Sequence, residues 1–142
     1  MIRKMEEKDL EWAKDLDVKL FSDAAWGMEE MREAMLPGRR FVVADDGGPV
    51  GWAAMDIRGA KAHILSIDVD PAHRREGVGS ALLSSLLSCA RRLGKDRCVL
   101  EAACSNAPAL ALYKKFGFSA KGRIGGYYSP SLDAFVMEKD LD

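Results

Sequence analysis

Two features of this chain have residue types and spacing suited to chemistry: the stretch Arg74-Arg75-Glu76-Gly77-Val78-Gly79-Ser80, and a lone carboxylate, Glu101. In PAHRREGVGSALL (71–83) a strand-like run ends at Pro71 and an amphipathic helix starts after Gly79. The first turn of a helix presents unpaired N–H groups and the positive end of the dipole. Gly77 and Gly79 lack Cβ atoms, so a bulky anion can approach that backbone. Arg74 and Arg75 add charge-assisted hydrogen bonds. The implied ligand is a phosphate or pyrophosphate, and Glu76 is harmless there only if its side chain points outward. The pattern is R-x-x-G-x-G. A Rossmann G-x-G-x-x-G fails at Leu82, and no Gly-Lys-Ser/Thr follows for a Walker loop. A plain tight turn is the competing explanation for the glycines. Glu101 interrupts the apolar run CVLEAAC (98–104). A buried charge is costly unless it is paired or used. Arg97 or Arg123 could pair with it; otherwise it is free to do chemistry.

The elements that must position these residues follow from periodicity. IRKM (2–5) is a short strand. Leu10, Ala13, Leu16 (or Asp17), Leu20 and Phe21 mark a first helix, and Met28–Leu36 a second, stopped by Pro37-Gly38. FVVAD (41–45), VGWAAMDI (50–57) and AHILSIDVD (62–70) read as a three-stranded meander with turns at Asp46-Gly47 and Arg58-Gly59. SALLSSLLSCARRL (80–93) carries an apolar stripe and ends at Gly94. RCVLEAA (97–103) is a buried strand, with Val99, Glu101 and Ala103 on one face. Asn106 caps a helix through about Lys115, closed by Gly117. Residues 118–124 and 133–139 form two last strands, joined through Tyr127-Tyr128-Ser129-Pro130. The order β-αα-βββ-α-β-α-ββ predicts an α/β fold: a mixed sheet with helices on both faces.

Composition narrows the classes. The 142 residues suit one domain, 48% apolar and 30% charged, with a net charge of −1. No overall basic field draws the chain to nucleic acid or to an anionic membrane. The opening MIRKMEEKDL is charged throughout, and no window approaches a membrane span. Cys89, Cys98 and Cys104 form no C-x-x-C pair, and only His63 and His73 accompany them. Reduced thiols, a cytoplasmic chain and no metal site are the expectations.

VDPAHRREGVGSALL resembles the acyl-CoA-binding motif of the GNAT superfamily of N-acetyltransferases. LEAACSNAPALALYKKFGF (100–118) resembles that family's L-E-x-x-x-S-N-x-x-A-x-x-L-Y-x-x-x-G-F. GYYSPSLDAFVMEKDL (126–141) resembles the Y-Y-x-x-x-x-D-A-x-x-M ending of the ribosomal-protein alanine and archaeal N-terminal acetyltransferases. The resemblance runs nearly end to end and implies a single GNAT domain over 1–142. It implies acetyl-CoA as co-substrate, no metal, and a monomer or weak homodimer. Ile67, Asp68 and Val69 would lie on a splayed strand whose backbone pairs with the pantetheine arm. The N–H groups from Arg75 to Ser80, with Arg74 beside them, would hold the pyrophosphate, and Asn106 would lie near the thiol.

Acetyl transfer to an amine needs a neutral amine, a stabilised oxyanion and a stabilised leaving thiolate. An N-terminal amine has a pKa near ~8, so only about a tenth is free base at pH 7. The resemblance makes Glu101 the base, with a pKa expected to rise on burial. It makes Tyr113 the acid, although a phenol is a weaker acid than a thiol. A core tyrosine remains the plain alternative for Tyr113, as does an ion-paired carboxylate for Glu101. A ping-pong route through Cys104 would need a histidine beside it, and the sequence pairs none with it. Ser22–Gly27, with Trp26, and Tyr127–Leu132, with Tyr127 and Tyr128, would bracket the acceptor. Ala103 and Leu132 depart from the subgroup's Arg and Glu. The acceptor is therefore a protein N-terminus or a small amine, against a third alternative, a non-catalytic acyl-CoA sensor.

Overall fold

The computed structural model describes residues 1–22, 25–33 and 36–141 of the chain. Its elements are β1 (Ile2–Lys4), α1 (Leu10–Phe21), α2 (Met28–Arg32), β2 (Arg39–Asp45), β3 (Pro49–Asp56) and β4 (Ala62–Val69). They continue with α3 (Val78–Arg92), β5 (Arg97–Ala103), α4 (Ala107–Lys115), β6 (Ser119–Ser129) and β7 (Leu132–Asp140). The order matches the one read from periodicity. The seven strands form one mixed sheet, β1-β2-β3-β4-β5-β7-β6, in which only the β4–β5 pair is parallel.

Strand alternation divides the core into two layers. Val42, Ala44, Ala53, Met55, Leu100 and Ala102 point to the face covered by Leu82, Leu83, Leu86 and Leu87 of α3 and by Tyr113 of α4. Phe41, Val43, Trp52 and Ala54 point to the other face, covered by Leu10, Ala13 and Leu16 of α1 and Met31 of α2. Helices therefore sit on both faces, as the period-two and period-3.6 patterns require.

Boundaries differ in three places. α3 begins at Val78 rather than after Gly79, because Gly77 takes the left-handed conformation (φ +81°) and turns the chain into the helix. The described part of α2 ends at Arg32, and part of the expected continuation to Leu36 lies outside the described residues. β6 runs on to Ser129, so Tyr127 and Tyr128 belong to a strand rather than to the connection. A register break between Ile124 and Ser129 hides that continuation from a period-two reading.

The parting of β4 from β5 shapes the site. β4 pairs with β5 only at Ala62–Cys98 and His63–Val99. Beyond that point β5 stays paired to β7 along its whole length, while β4 follows β3. A register break opposite Ala54/Met55, between Ile64 and Ser66, bends β4 away. β4, β3 and α3 then pack so closely that a Cβ on Gly51 would lie 2.9 Å from the Asp68 carbonyl oxygen and 2.9 Å from Val78 Cγ1.

Candidate active site

Two cavities open where β4 and β5 diverge. The larger, about 600 Å³, runs over the N-terminus of α3. Ile67 and Val69 of β4 line it, as do Arg74, Arg75, Gly77, Val78, Gly79 and Ser80. Arg75 takes φ +65°, unusual for a side chain with a Cβ, and Gly77 follows at φ +81°. Left-handed residues at a helix entrance aim successive N–H groups at one point and build an anion-binding nest. Asn106 and Tyr113 line the far end. Asn106 Oδ1 also accepts the Ala109 N–H at 3.2 Å, so cavity wall and helix cap coexist in one residue. Asp68 and Glu76 do not line the cavity. The Asp68 side chain is buried on the α1 side, and exposed Glu76 lies 3.1 Å from His73 Nδ1.

The smaller cavity, about 260 Å³, lies on the α1 side of the sheet. Glu101, Trp26 and Tyr128 line it, with Ala103 and Leu132, the two positions that depart from the resembled subgroup. Trp26 also packs edge-on to Trp52 (5.5 Å between ring centroids) and Phe41 (5.8 Å), so it anchors its loop and forms a cavity wall together. Residues 23 and 24 of the expected acceptor loop lie outside the described residues. Tyr113, Asn106, Ile67 and Ala109 line both cavities and form the seam between them.

Glu101 pairs with neither suggested arginine. Arg97 sits by Glu138 and Asp140, and Arg123 binds Asp133. The partner is His63, whose Nε2 lies 2.8 Å from Glu101 Oε1. The Tyr127 hydroxyl donates to the same oxygen at 3.2 Å, and the Tyr128 hydroxyl donates to the Glu101 carbonyl at 3.1 Å. This changes the expected electrostatics. Burial pushes the Glu101 carboxyl up, but the His63 hydrogen bond, the His63 charge and Tyr127 outweigh it, and the pKa falls below its ordinary value. His63 rises in turn: its hydrogen bond to Glu101 outweighs its own burial. Glu101 thus stands in a carboxylate–imidazole pair rather than as a lone carboxylate raised by an apolar pocket.

His63 is the residue the sequence reading missed. It stands 38 residues from Glu101, and the short β4–β5 pairing alone brings them together. The available signal was a histidine on a strand next in sequence to an apolar strand with one carboxylate. Tyr113 is buried against Phe118, and burial with the nearby Asp68 charge pushes its phenol up to about 12. Cys104 lines neither cavity; His63 faces Glu101 and His73 faces Glu76, so neither histidine activates the thiol. No group of three metal-ligating side chains occurs among the described residues, and no described helix is long and apolar enough to cross a membrane.

Residues 5–118 match the profile of the Acetyltransferase (GNAT) family. The chain belongs to the GNAT acetyltransferase family. The N-alpha-acetyltransferase RimI of Mycobacterium tuberculosis is 34% identical over 140 residues, covering 93% of this chain and 87% of that protein. The L-amino acid N-acetyltransferase AaaT of Escherichia coli is 33% identical over 151 residues, covering 97% and 89%. The crystal structure of the ribosomal-protein-S18-alanine N-acetyltransferase from Escherichia coli superposes with a TM-score of 0.90 at 25% identity, covering 100% of this chain and 94% of that one. The match to the N-alpha-acetyltransferases of Sulfurisphaera tokodaii and Saccharolobus solfataricus spans 49% of their length, about half.

Proposed function

We propose that this GNAT protein transfers the acetyl group of acetyl-CoA to the N-terminal α-amine of a protein, by direct attack. The supporting observation is Glu101, held by His63, in the wall of the smaller cavity, across a shared seam from the larger cavity with its left-handed residues Arg75 and Gly77. Acetyl-CoA supplies an activated thioester. The larger cavity fits it: basic side chains and α3 N–H groups for the pyrophosphate, and an unpaired β4 edge from Ile64 to Val69 for an amide-bearing arm.

Glu101 takes one proton from the incoming ammonium, and the His63 hydrogen bond keeps the carboxylate aimed and ionised. The neutral amine then forms the N–C bond as the C–S bond breaks, and the second proton that nitrogen sheds on becoming an amide passes to the departing sulfur, which leaves as the CoA thiol. Tyr113 serves the departing thiolate as a hydrogen-bond donor. With its pKa near 12, full proton transfer to a thiolate of pKa ~8.5 would be uphill by about 5 kcal/mol, so the phenol keeps its proton. Trp26 and Tyr128 pack the first acceptor residue.

A second reading, a free amino acid or small amine as acceptor, is favoured by Ala103 and Leu132, which leave the acceptor cavity without the subgroup's charged side chains. Short peptides varied at residue one, set against amino acids and polyamines and read by free CoA release, separate the two. Turnover of a peptide N-terminus above the free amino acids supports the first; the reverse order replaces it with the second.

A further inference from the structure

Asp17 of α1 and Asp68 of β4 meet behind the acceptor cavity, 1% and 0% exposed. Neither forms a salt bridge with a basic residue among the described residues. One oxygen of each has a conventional donor. Asp17 Oδ2 accepts the Trp26 backbone N–H at 2.7 Å, and Asp68 Oδ1 accepts the Ser66 hydroxyl at 2.7 Å. The remaining oxygens, Asp17 Oδ1 and Asp68 Oδ2, are buried with no such donor. Two ionised carboxylates do not persist in dry contact. One proton held between them satisfies both orphaned oxygens at once.

We propose that Asp17 and Asp68 share a single proton and act as a positioning pair, clamping the Trp26 loop of the acceptor cavity onto the strand that borders the cofactor cavity. Asp17, Trp26 and Ser66 line the smaller cavity; Ile67 and Val69, on either side of Asp68, line the larger. The pair therefore joins one wall of each. The groups facing Asp68 are Asp17 from α1, Ser66 of its own strand, Trp52 of β3, whose indole N–H lies outside hydrogen-bond geometry, and Tyr113 of α4. None is cationic. Burial and the Asp17 carboxylate push Asp68 up to about 9, which agrees with a proton retained at neutral pH. Above that value the pair becomes a dianion and the clamp loosens.

The role in acceptor binding rests on the function proposed above, so the test has one arm that needs no activity. Infrared spectroscopy of the wild-type protein at pH 7 shows a protonated carboxylic acid band that disappears above about pH 9 and is absent from Asp68→Asn at pH 7. In the kinetic arm, with a peptide acceptor, wild-type KM for the peptide rises above about pH 9 while kcat changes less. Asp68→Asn, whose amide donates to Asp17 without titrating, keeps peptide KM flat across that range. In Asp68→Ala the buried Asp17 carboxylate loses its partner across the joint, and peptide KM rises by about tenfold or more over Asp68→Asn. Absence of the band in the wild type overturns the shared proton. An alkaline rise in KM unchanged by Asp68→Asn overturns the clamp. If no peptide is turned over, the proposed function falls, and the band alone decides the pair.

Discussion

Glu101 is half of a pair, and its partner sets its pH behaviour. Glu101→Gln is expected to lower turnover by about 10²-fold or more with little change in CoA affinity, read by steady-state kinetics and calorimetry. His63 is raised above its ordinary value by its hydrogen bond to Glu101, and Glu101 is lowered below its own, so the charged link is present across the mildly acidic interval between the two groups' ordinary values. Its contribution to stability is lost as pH rises through the raised His63 value or falls through the lowered Glu101 value. In the charged link the carboxylate is held by an imidazolium. The acid limb of kcat/KM is therefore expected at the raised His63 pKa in the wild type and at lower pH in His63→Gln. An acid limb that stays in place would mean that His63 does not govern the protonation of Glu101. At this scale the sequence was half legible. A carboxylate in CVLEAAC is conspicuous because apolar neighbours leave it no local partner. Its true partner is set by strand pairing 38 residues away, which no local pattern encodes. Asp17 was visible only as a polar residue on the apolar stripe of α1.

Among the elements, the helix stripes and the meander were readable because burial imposes their periods. α3 announced itself through Leu82, Leu83, Leu86 and Leu87, yet its start depends on the left-handed turn at Gly77, a backbone property that hydrophobic spacing does not report. Gly51 gave no signal either. Its reason for being glycine lies in packing: an added Cβ meets the Asp68 carbonyl oxygen and Val78, and a backbone atom cannot step aside. Gly51→Ala is expected to destabilise the fold by about 1–3 kcal/mol through overpacking. It should also weaken CoA binding, because Val78 opens the helix that lines the larger cavity. Denaturant unfolding and CoA titration check the two effects separately.

For the whole molecule, the order of elements specified a mixed sheet with helices on both faces, since each element must bury its apolar side. The sequence does not show where neighbouring strands stop pairing. The meeting of Glu101, from the α1 side of the sheet, with Tyr113, from the α4 side, depends on the opening between β4 and β5. That opening places the larger and the smaller cavity on either side of one seam.

The same opening has a kinetic signature. Along Ile64–Val69 alternate amide protons point at β3, and the others point at a strand that has already turned away. In the free protein the outward set is expected to trade hydrogen for deuterium quickly, although it sits mid-sheet, where isotope exchange is ordinarily slow. A CoA molecule lying in the gap would slow that outward set while leaving the β3-facing set as it was. Equal exchange in both sets before and after CoA addition would mean that the gap is closed in solution.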